Sequence, residues 1–123
     1  MASQLKRKLC LVVSDATFLG DCLSTFLSTQ GYETEFVDGF DRAFARYEAS
    51  NPDFIVLDCR RQIFEALVFM QRVRWRANKS KIPIFWLCNE ERPSFAEHLF
   101  FKRDEVFLVH SLSAELLSDV FHE

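Results

Sequence analysis

The sequence predicts an α/β fold in which five parallel strands form one doubly wound sheet in the order 2-1-3-4-5. Five short apolar runs recur along the 123 residues, and segments with helical periodicity separate them. The connections are short, as expected for right-handed strand–helix–strand units. The run at residues 54–57 is continuously apolar and β-branched, which is typical of a strand buried on both faces and indicates the centre of the sheet.

The composition is that of one compact domain spanning residues 1–123. The chain is 49% hydrophobic, contains only three Gly and three Pro, and has no repeat or linker. Its 14 Phe indicate either a Phe-rich core or an exposed aromatic surface, and the sequence leaves both open.

Charge, hydropathy and cysteine spacing exclude several classes of function. The net charge of -3 gives no large positive field for nucleic acid or anionic lipid. No segment is long and apolar enough to span a membrane or to act as a secretory signal, which predicts a cytoplasmic protein. The four Cys lack C-x-x-C spacing, so we expect free thiols in a reducing compartment, without zinc or disulfides.

The first half of the chain reads as two strand–helix pairs that lead to the central strand. Residues 9–13 form the first strand, and Thr17 is predicted to cap a helix that Gly31 ends. Residues 32–37 alternate like a shorter, more exposed strand, and a second helix follows from Phe40.

The second half continues the alternation after Asp58. A third helix carries Ile63, Leu67 and Met70 on one face. The remaining predicted elements are a strand at 82–87, a fourth helix with a capping box from Ser94 to Glu97 that runs through Lys102, a strand at 106–109 and a last helix from about Ser113.

This topology predicts a cleft at the carboxyl ends of the strands. In doubly wound sheets, ligands bind where the strand order reverses, here between strands one and three. Ser14, Asp15 and Asp58 should converge there, with Cys88 and His110 at the ends of strands four and five.

The pattern resembles a response-regulator receiver domain, a flavodoxin-like fold, over the whole chain. In that family two acids after strand one bind Mg²⁺ and an Asp after strand three accepts phosphate. The resemblance implies that Asp58 is the phospho-acceptor. It also implies a weak Mg²⁺ site made by Asp15, Asp58 and the backbone carbonyl near Arg60.

The departures from the family pattern indicate a degenerate, pseudo-receiver type. Ser14 stands where the first acid belongs, Cys88 replaces Thr or Ser, and His110-Ser111 replaces Lys-Pro. The loop at 61–66 lacks the family's Met-Pro-x-x-Asp-Gly pattern. An imidazole is mostly neutral at pH 7 and a thiol is a weak donor, so the pocket of Ser14, Arg61, Cys88 and His110 is poorly suited to hold a phosphoryl group.

Two pairs of residues beside the cleft have alternative interpretations. Arg60 and Arg61 either fold onto Asp15 and Asp58 and fill the pocket, or point to solvent. Cys59 and Cys88 are either buried small hydrophobes or oxidant-sensitive thiols acidified by Arg60. Asp15 has a further alternative role as the cap of the first helix.

An interaction surface is predicted around the fourth helix and the fifth strand. The segment 95–102 holds more apolar residues than one buried stripe needs, which leaves Phe101 beside His98 off the core face. The resemblance makes the fourth helix, fifth strand and fifth helix the usual place for dimerisation or partner binding, and places Phe107 where receivers often have a switch aromatic. The alternative is that all these Phe belong to the core.

We therefore expect a signalling domain that is not an enzyme, needs no cofactor and works by phosphorylation-independent binding to another protein or to itself. The alternative is a receiver phosphorylated on Asp58 by a histidine kinase in a two-component relay. A flavin-binding module is a third hypothesis, which the acid at Asp15 disfavours because a phosphate loop would be needed there.

Overall fold

The computed structural model describes residues 7–75 and 82–88 in full and the backbone of residues 105–108. These residues form a five-stranded sheet and three helices. The strands are β1 (Leu9–Ser14), β2 (Glu33–Asp38), β3 (Phe54–Asp58), β4 (Ile84–Leu87) and β5 (Glu105–Leu108). The helices are α1 (Thr17–Thr29), α2 (Ala43–Ser50) and α3 (Ile63–Arg74).

All pairings in the sheet are parallel, and the strand order is β2-β1-β3-β4-β5. The predicted parallel α/β sheet with the order 2-1-3-4 is confirmed, including the reversal between β1 and β3. β5 lies beside β4, with Glu105 opposite Ile84. The predicted fourth and fifth helices fall outside the described residues.

Alternating residues of the strands build two hydrophobic layers, one on each face of the sheet. Leu11, Ile55 and Trp86 point into the layer that α2 and α3 cover. Val12 and Phe85 point into the layer that α1 covers. Every residue of β3 is buried, as predicted for a central strand, because helices cover both of its faces.

Three details of the predicted elements change in the structure. Thr17 does not cap α1, because Ala16 is the capping residue and makes no side-chain hydrogen bond. β4 begins at Ile84 and not at residue 82, consistent with the lack of an N–H on Pro83. α2 begins at Ala43, after a turn in which Gly39 has a φ of 96°.

The aromatic residues divide between core and surface. Phe54 and Phe85 are completely buried, whereas Phe18 is 81% exposed and Phe64 is 76% exposed. Both interpretations of the Phe-rich composition therefore apply to the part of the chain described. Within that part no helix has the length and hydropathy needed to cross a bilayer.

The packing of α1 on β2 predicts that Gly20→Ala is destabilising. A Cβ atom at Gly20 would lie 2.3 Å from Cε1 of Phe36. Overpacking of this kind costs about 1–3 kcal/mol, against a gain of up to about 1 kcal/mol from helix propensity. We expect the free energy of unfolding, measured by chemical denaturation, to fall by about 1 kcal/mol.

The control is the same substitution in a Phe36→Leu background, where the smaller side chain leaves room for the methyl group. There Gly20→Ala should be neutral or stabilising. An increase in stability in the wild-type background would contradict the packing described.

Candidate functional site

The candidate site lies where β1 and β3 end side by side. Val13 is in register with Leu57, so the next residues, Ser14 and Asp58, are neighbours at the carboxyl edge of the sheet. Ser14 is completely buried and Asp58 is 4% exposed. The hydroxyl of Ser14 donates to Oδ2 of Asp58 over 2.7 Å and accepts a hydrogen bond of 2.9 Å from the N–H of Ala16.

Arg60 folds back onto the Asp58 carboxylate. Its Nε donates to Oδ1 over 2.8 Å and its Nη2 donates to Oδ2 over 3.1 Å, which is a bidentate pair. The backbone N–H of Arg60 also donates to Oδ1, over 3.2 Å. Of the two arrangements that the sequence left open for this arginine, the structure has the one that fills the pocket.

Arg61 is arranged differently from Arg60. Its Nε lies 3.7 Å from Oδ2 of Asp15, and its side chain is 72% exposed. Such a pair contributes little, because water screens it. Asp15 does not cap α1, since the capping residue is Ala16.

Opposing effects act on the pKa of Asp58. Burial is the largest and works to raise it, but the hydrogen bonds from Arg60 and Ser14 and the charge of Arg60 together lower the pKa below its ordinary value. The same pairing raises the pKa of Arg60, chiefly through its hydrogen bond to Asp58. Asp58 is therefore an ionised, internally neutralised carboxylate at neutral pH.

The side chains at this edge do not fit a magnesium ion. Mg²⁺ requires oxygen ligands in a near-ideal octahedron and is usually recruited by carboxylates. Both oxygens of Asp58 are engaged by Arg60, whose guanidinium repels a cation, and Ser14 supplies a hydroxyl in place of an acid. Across the described ranges no cluster of three or more His, Cys, Asp or Glu could hold a metal.

Cys59 and Cys88 meet beside the carboxylate, at the ends of β3 and β4. Their Sγ atoms lie 3.4 Å apart, and the two side chains are 1% and 3% exposed. The hydrogen bond with Cys88 is the main cause that raises the pKa of Cys59, followed by burial and by the charges of Cys88 and Asp58. The hypothesis that Arg60 acidifies Cys59 is therefore wrong, because the pKa of this thiol is raised and not lowered.

Three of the predicted site residues lie outside what the structure describes. His110, His98 and Phe101 fall in residues whose structure is not described, so their roles stay predictions. Phe107 is on β5, in register with Trp86. Cys88 lies at the edge of the sheet, as predicted, and its Sγ atom contacts that of Cys59.

Sequence reasoning missed a groove of about 530 Å³ between α2 and α3. Phe44 lines it from α2 and Phe64, Val68 and Arg72 line it from α3. The guanidinium carbon of Arg72 lies 4.0 Å from the centre of the Phe44 ring. The signal in the sequence was the apolar Phe64 and Val68, four residues apart on the side of α3 that faces away from the core.

Comparison with solved structures finds the same fold in several response-regulator proteins. Vibrio cholerae chemotaxis protein CheY4 superposes with a TM-score of 0.81 and 22% identity, covering 94% of this chain and 100% of that chain. The fold is that of a response-regulator receiver domain. A response regulator receiver protein from Pseudomonas putida shares it with a TM-score of 0.75 and 19% identity, covering 97% of this chain and 99% of that chain.

A third solved structure with the same fold is a complex with Mg²⁺ and BeF. Response regulator TrrA from Thermotoga maritima, in complex with Mg²⁺ and BeF, matches with a TM-score of 0.70 and 24% identity, covering 92% of this chain and 96% of that chain. No family model and no curated protein matched the sequence. The likeness to receiver domains is therefore one of fold.

The pairing of Arg60 with Asp58 predicts that Arg60→Ala destabilises the protein in a pH-dependent way. Because the folded-state pKa of Asp58 is lowered, its stabilisation is fully present above the ordinary Asp value of about 3.9 and is lost as the pH falls through the folded-state pKa. We expect a loss of about 1–2 kcal/mol at neutral pH, a discounted figure because Arg60 is 38% exposed. Denaturation at several pH values should show the loss shrinking toward acid.

Arg61→Ala is the matched control, since it removes the neighbouring guanidinium without touching Asp58. Its effect should stay below about 0.5 kcal/mol and change little with pH. Equal losses in the two variants, or a pH-independent loss in Arg60→Ala, would show that the Arg60 contacts do not set the pKa of Asp58.

Proposed function

We propose that this chain is a receiver-fold signalling domain that acts by binding other proteins and does not require phosphorylation. The observation that carries the proposal is the full occupation of the Asp58 carboxylate by Arg60 and Ser14. The proposed domain is not an enzyme, requires no metal or other cofactor and works in the cytoplasm.

The hydrogen-bond count at Asp58 supports this proposal. A carboxylate has about four lone-pair sites. Oδ1 accepts from two N–H groups of Arg60, and Oδ2 accepts from Arg60 and from Ser14, which makes four donors. Attack on a phosphorus atom would need at least one of these sites freed inside a nearly closed environment.

The charges around Asp58 also support a function that does not require phosphorylation. Phosphoryl transfer to a carboxylate depends on a metal ion that offsets the negative charge of the transferring group. Here the guanidinium of Arg60 already neutralises Asp58, and Ser14 brings no charge to recruit a cation. In the proposed function, Asp58 therefore stays paired with Arg60 and does not bind Mg²⁺.

A phospho-accepting receiver served by a histidine kinase is the second candidate. Its support is the ionised state of Asp58, because a nucleophilic carboxylate must be deprotonated. It requires Arg60 to swing away from Asp58, and the 38% exposure of its side chain leaves a route to solvent. The two candidates differ in whether a phosphodonor can displace that arginine.

The partner surface that we propose comprises the fourth helix, β5 and the fifth helix. Its support is the excess of aromatic residues at 95–107 in the sequence, including Phe101 and Phe107, with His98 predicted beside Phe101. We propose that this surface binds a protein partner, with no role for nucleic acid or membrane.

A phosphodonor assay distinguishes the two candidates. The intact protein is incubated with Mg²⁺ and acetyl phosphate, or with Mg²⁺ and BeF₃⁻, and modification is measured by intact-mass spectrometry and by Trp86 fluorescence. Trp86 is fully buried on β4, one position before the residue that pairs with Asp58, and Trp75→Phe removes the other tryptophan signal. We expect neither a phosphorylated species nor a fluorescence change.

Ser14→Asp combined with Arg60→Ala is the matched gain-of-function variant. It restores an acid and removes the competing guanidinium, so Mg²⁺ should quench or enhance Trp86 emission in the millimolar range or below, as expected for a site with three acids. Stoichiometric labelling of the wild-type protein that disappears in Asp58→Ala would overturn the proposed function.

A further inference from the structure

α3 has a second apolar face, which points away from the sheet. Phe64, Val68 and Trp75 are 76%, 46% and 74% exposed, and we call these three residues the α3 stripe. Their spacings of four and eleven residues place them within about 40° of one another around the helix axis. The buried residues Ala66, Phe69 and Val73 occupy the opposite side.

The stripe extends along the whole helix. Trp75 follows the last residue of α3 and keeps helical backbone angles, with φ -80° and ψ -9°. Two exposed aromatic residues therefore stand near the two ends of the stripe, with Val68 between them. Exposed large apolar residues that share one helix face are candidates for an interaction site, and tryptophan and arginine are among the residues that most often dominate binding energy.

The charges beside the stripe are arranged in a self-complementary way. Glu65 and Arg72 are both exposed and lie on the same flank of α3. They are seven residues apart, which is two turns or about 10 Å along the axis. The acid lies toward the N-terminal end and the base toward the C-terminal end, and Val68 lies close to the midpoint between them.

A second copy of the same helix, running antiparallel, matches this arrangement. In a two-fold symmetric pair each residue faces its counterpart at the same distance on the other side of the axis. With the axis near Val68, Glu65 of each copy faces Arg72 of the other, and Phe64 of each copy lies near the Trp75 of the other. The attraction between Glu65 and Arg72 therefore occurs twice in the pair.

We propose that α3 is a homodimerisation surface, in which the α3 stripes of two copies pack antiparallel and Glu65 pairs with Arg72 across the two-fold axis. Arg72 is held on this flank by its contact with Phe44. A contact of two short helices is small, so the dimer is weak and forms reversibly. The inference does not depend on the chemistry at Asp58.

The test is sedimentation equilibrium of the full chain over a range of concentrations, with charge-reversal variants. Glu65→Arg places like charges at both contacts, and so does Arg72→Glu, so each variant alone should dimerise at least about tenfold more weakly than the wild type. An equimolar mixture of the two variants restores opposite charges at both contacts. The mixture should therefore form a heterodimer of near wild-type strength.

Two further variants distinguish dimerisation through the α3 stripe from non-specific association through any exposed aromatic residue. Trp75→Ala should weaken the dimer, whereas Phe18→Ala, which removes an equally exposed aromatic residue from α1, should not. Circular dichroism checks that each variant remains folded. A protein that stays monomeric at all concentrations, or a mixture of the charge variants that associates no better than either alone, would overturn the proposal.

Discussion

The parallel pairing of β1 with β3 is the constraint on which the rest of the site depends. Parallel strands end at the same edge of a sheet, and the register of Val13 opposite Leu57 brings Ser14 next to Asp58. The sheet is covered on both faces, so the carboxylate is nearly closed off from water at that edge. A charge in such a place must be hydrogen-bonded and neutralised. Ser14 and Arg60 meet that requirement from the two strand ends.

The hydrogen bonds from Arg60 and Ser14 to Asp58 define the chemistry present at this edge of the sheet. A fold supports many functions because its chemistry depends on a few side chains at one edge. Here the edge retains an ionised acid, but the acid is held by a guanidinium two residues later in the chain. The buried side chains of Cys59 and Cys88 lie beside it, with their Sγ atoms 3.4 Å apart. Ser14, Asp58 and Arg60 thus form a closed, hydrogen-bonded cluster. Surfaces elsewhere on the molecule are therefore the better places to look for partner binding.

α3 connects the core to one of those surfaces. Its inner side packs Phe69 and Met70 against the sheet, and it also buries Arg74, whose Nη1 donates to the carbonyl of Ile82 over 2.7 Å. Its outer side carries the α3 stripe. A helix that is apolar on two sides either lies inside a larger core or contacts another molecule. The exposure of Phe64 and Trp75 favours the second case.

The sequence alone determined the alternation of strands and helices, the central position of β3 and the proximity of Ser14 to Asp58. The reason is that the spacing of apolar residues predicts strands and helices, and their alternation predicts a parallel sheet. It could not decide which way Arg60 points, since a long side chain in a loop has many rotamers and only the nearby carboxylate selects one. Nor could it show that Cys59 faces Cys88, or that Phe64 is exposed while Phe69 is buried. Those outcomes depend on strand register and on the rotation of α3 against the sheet, which packing decides.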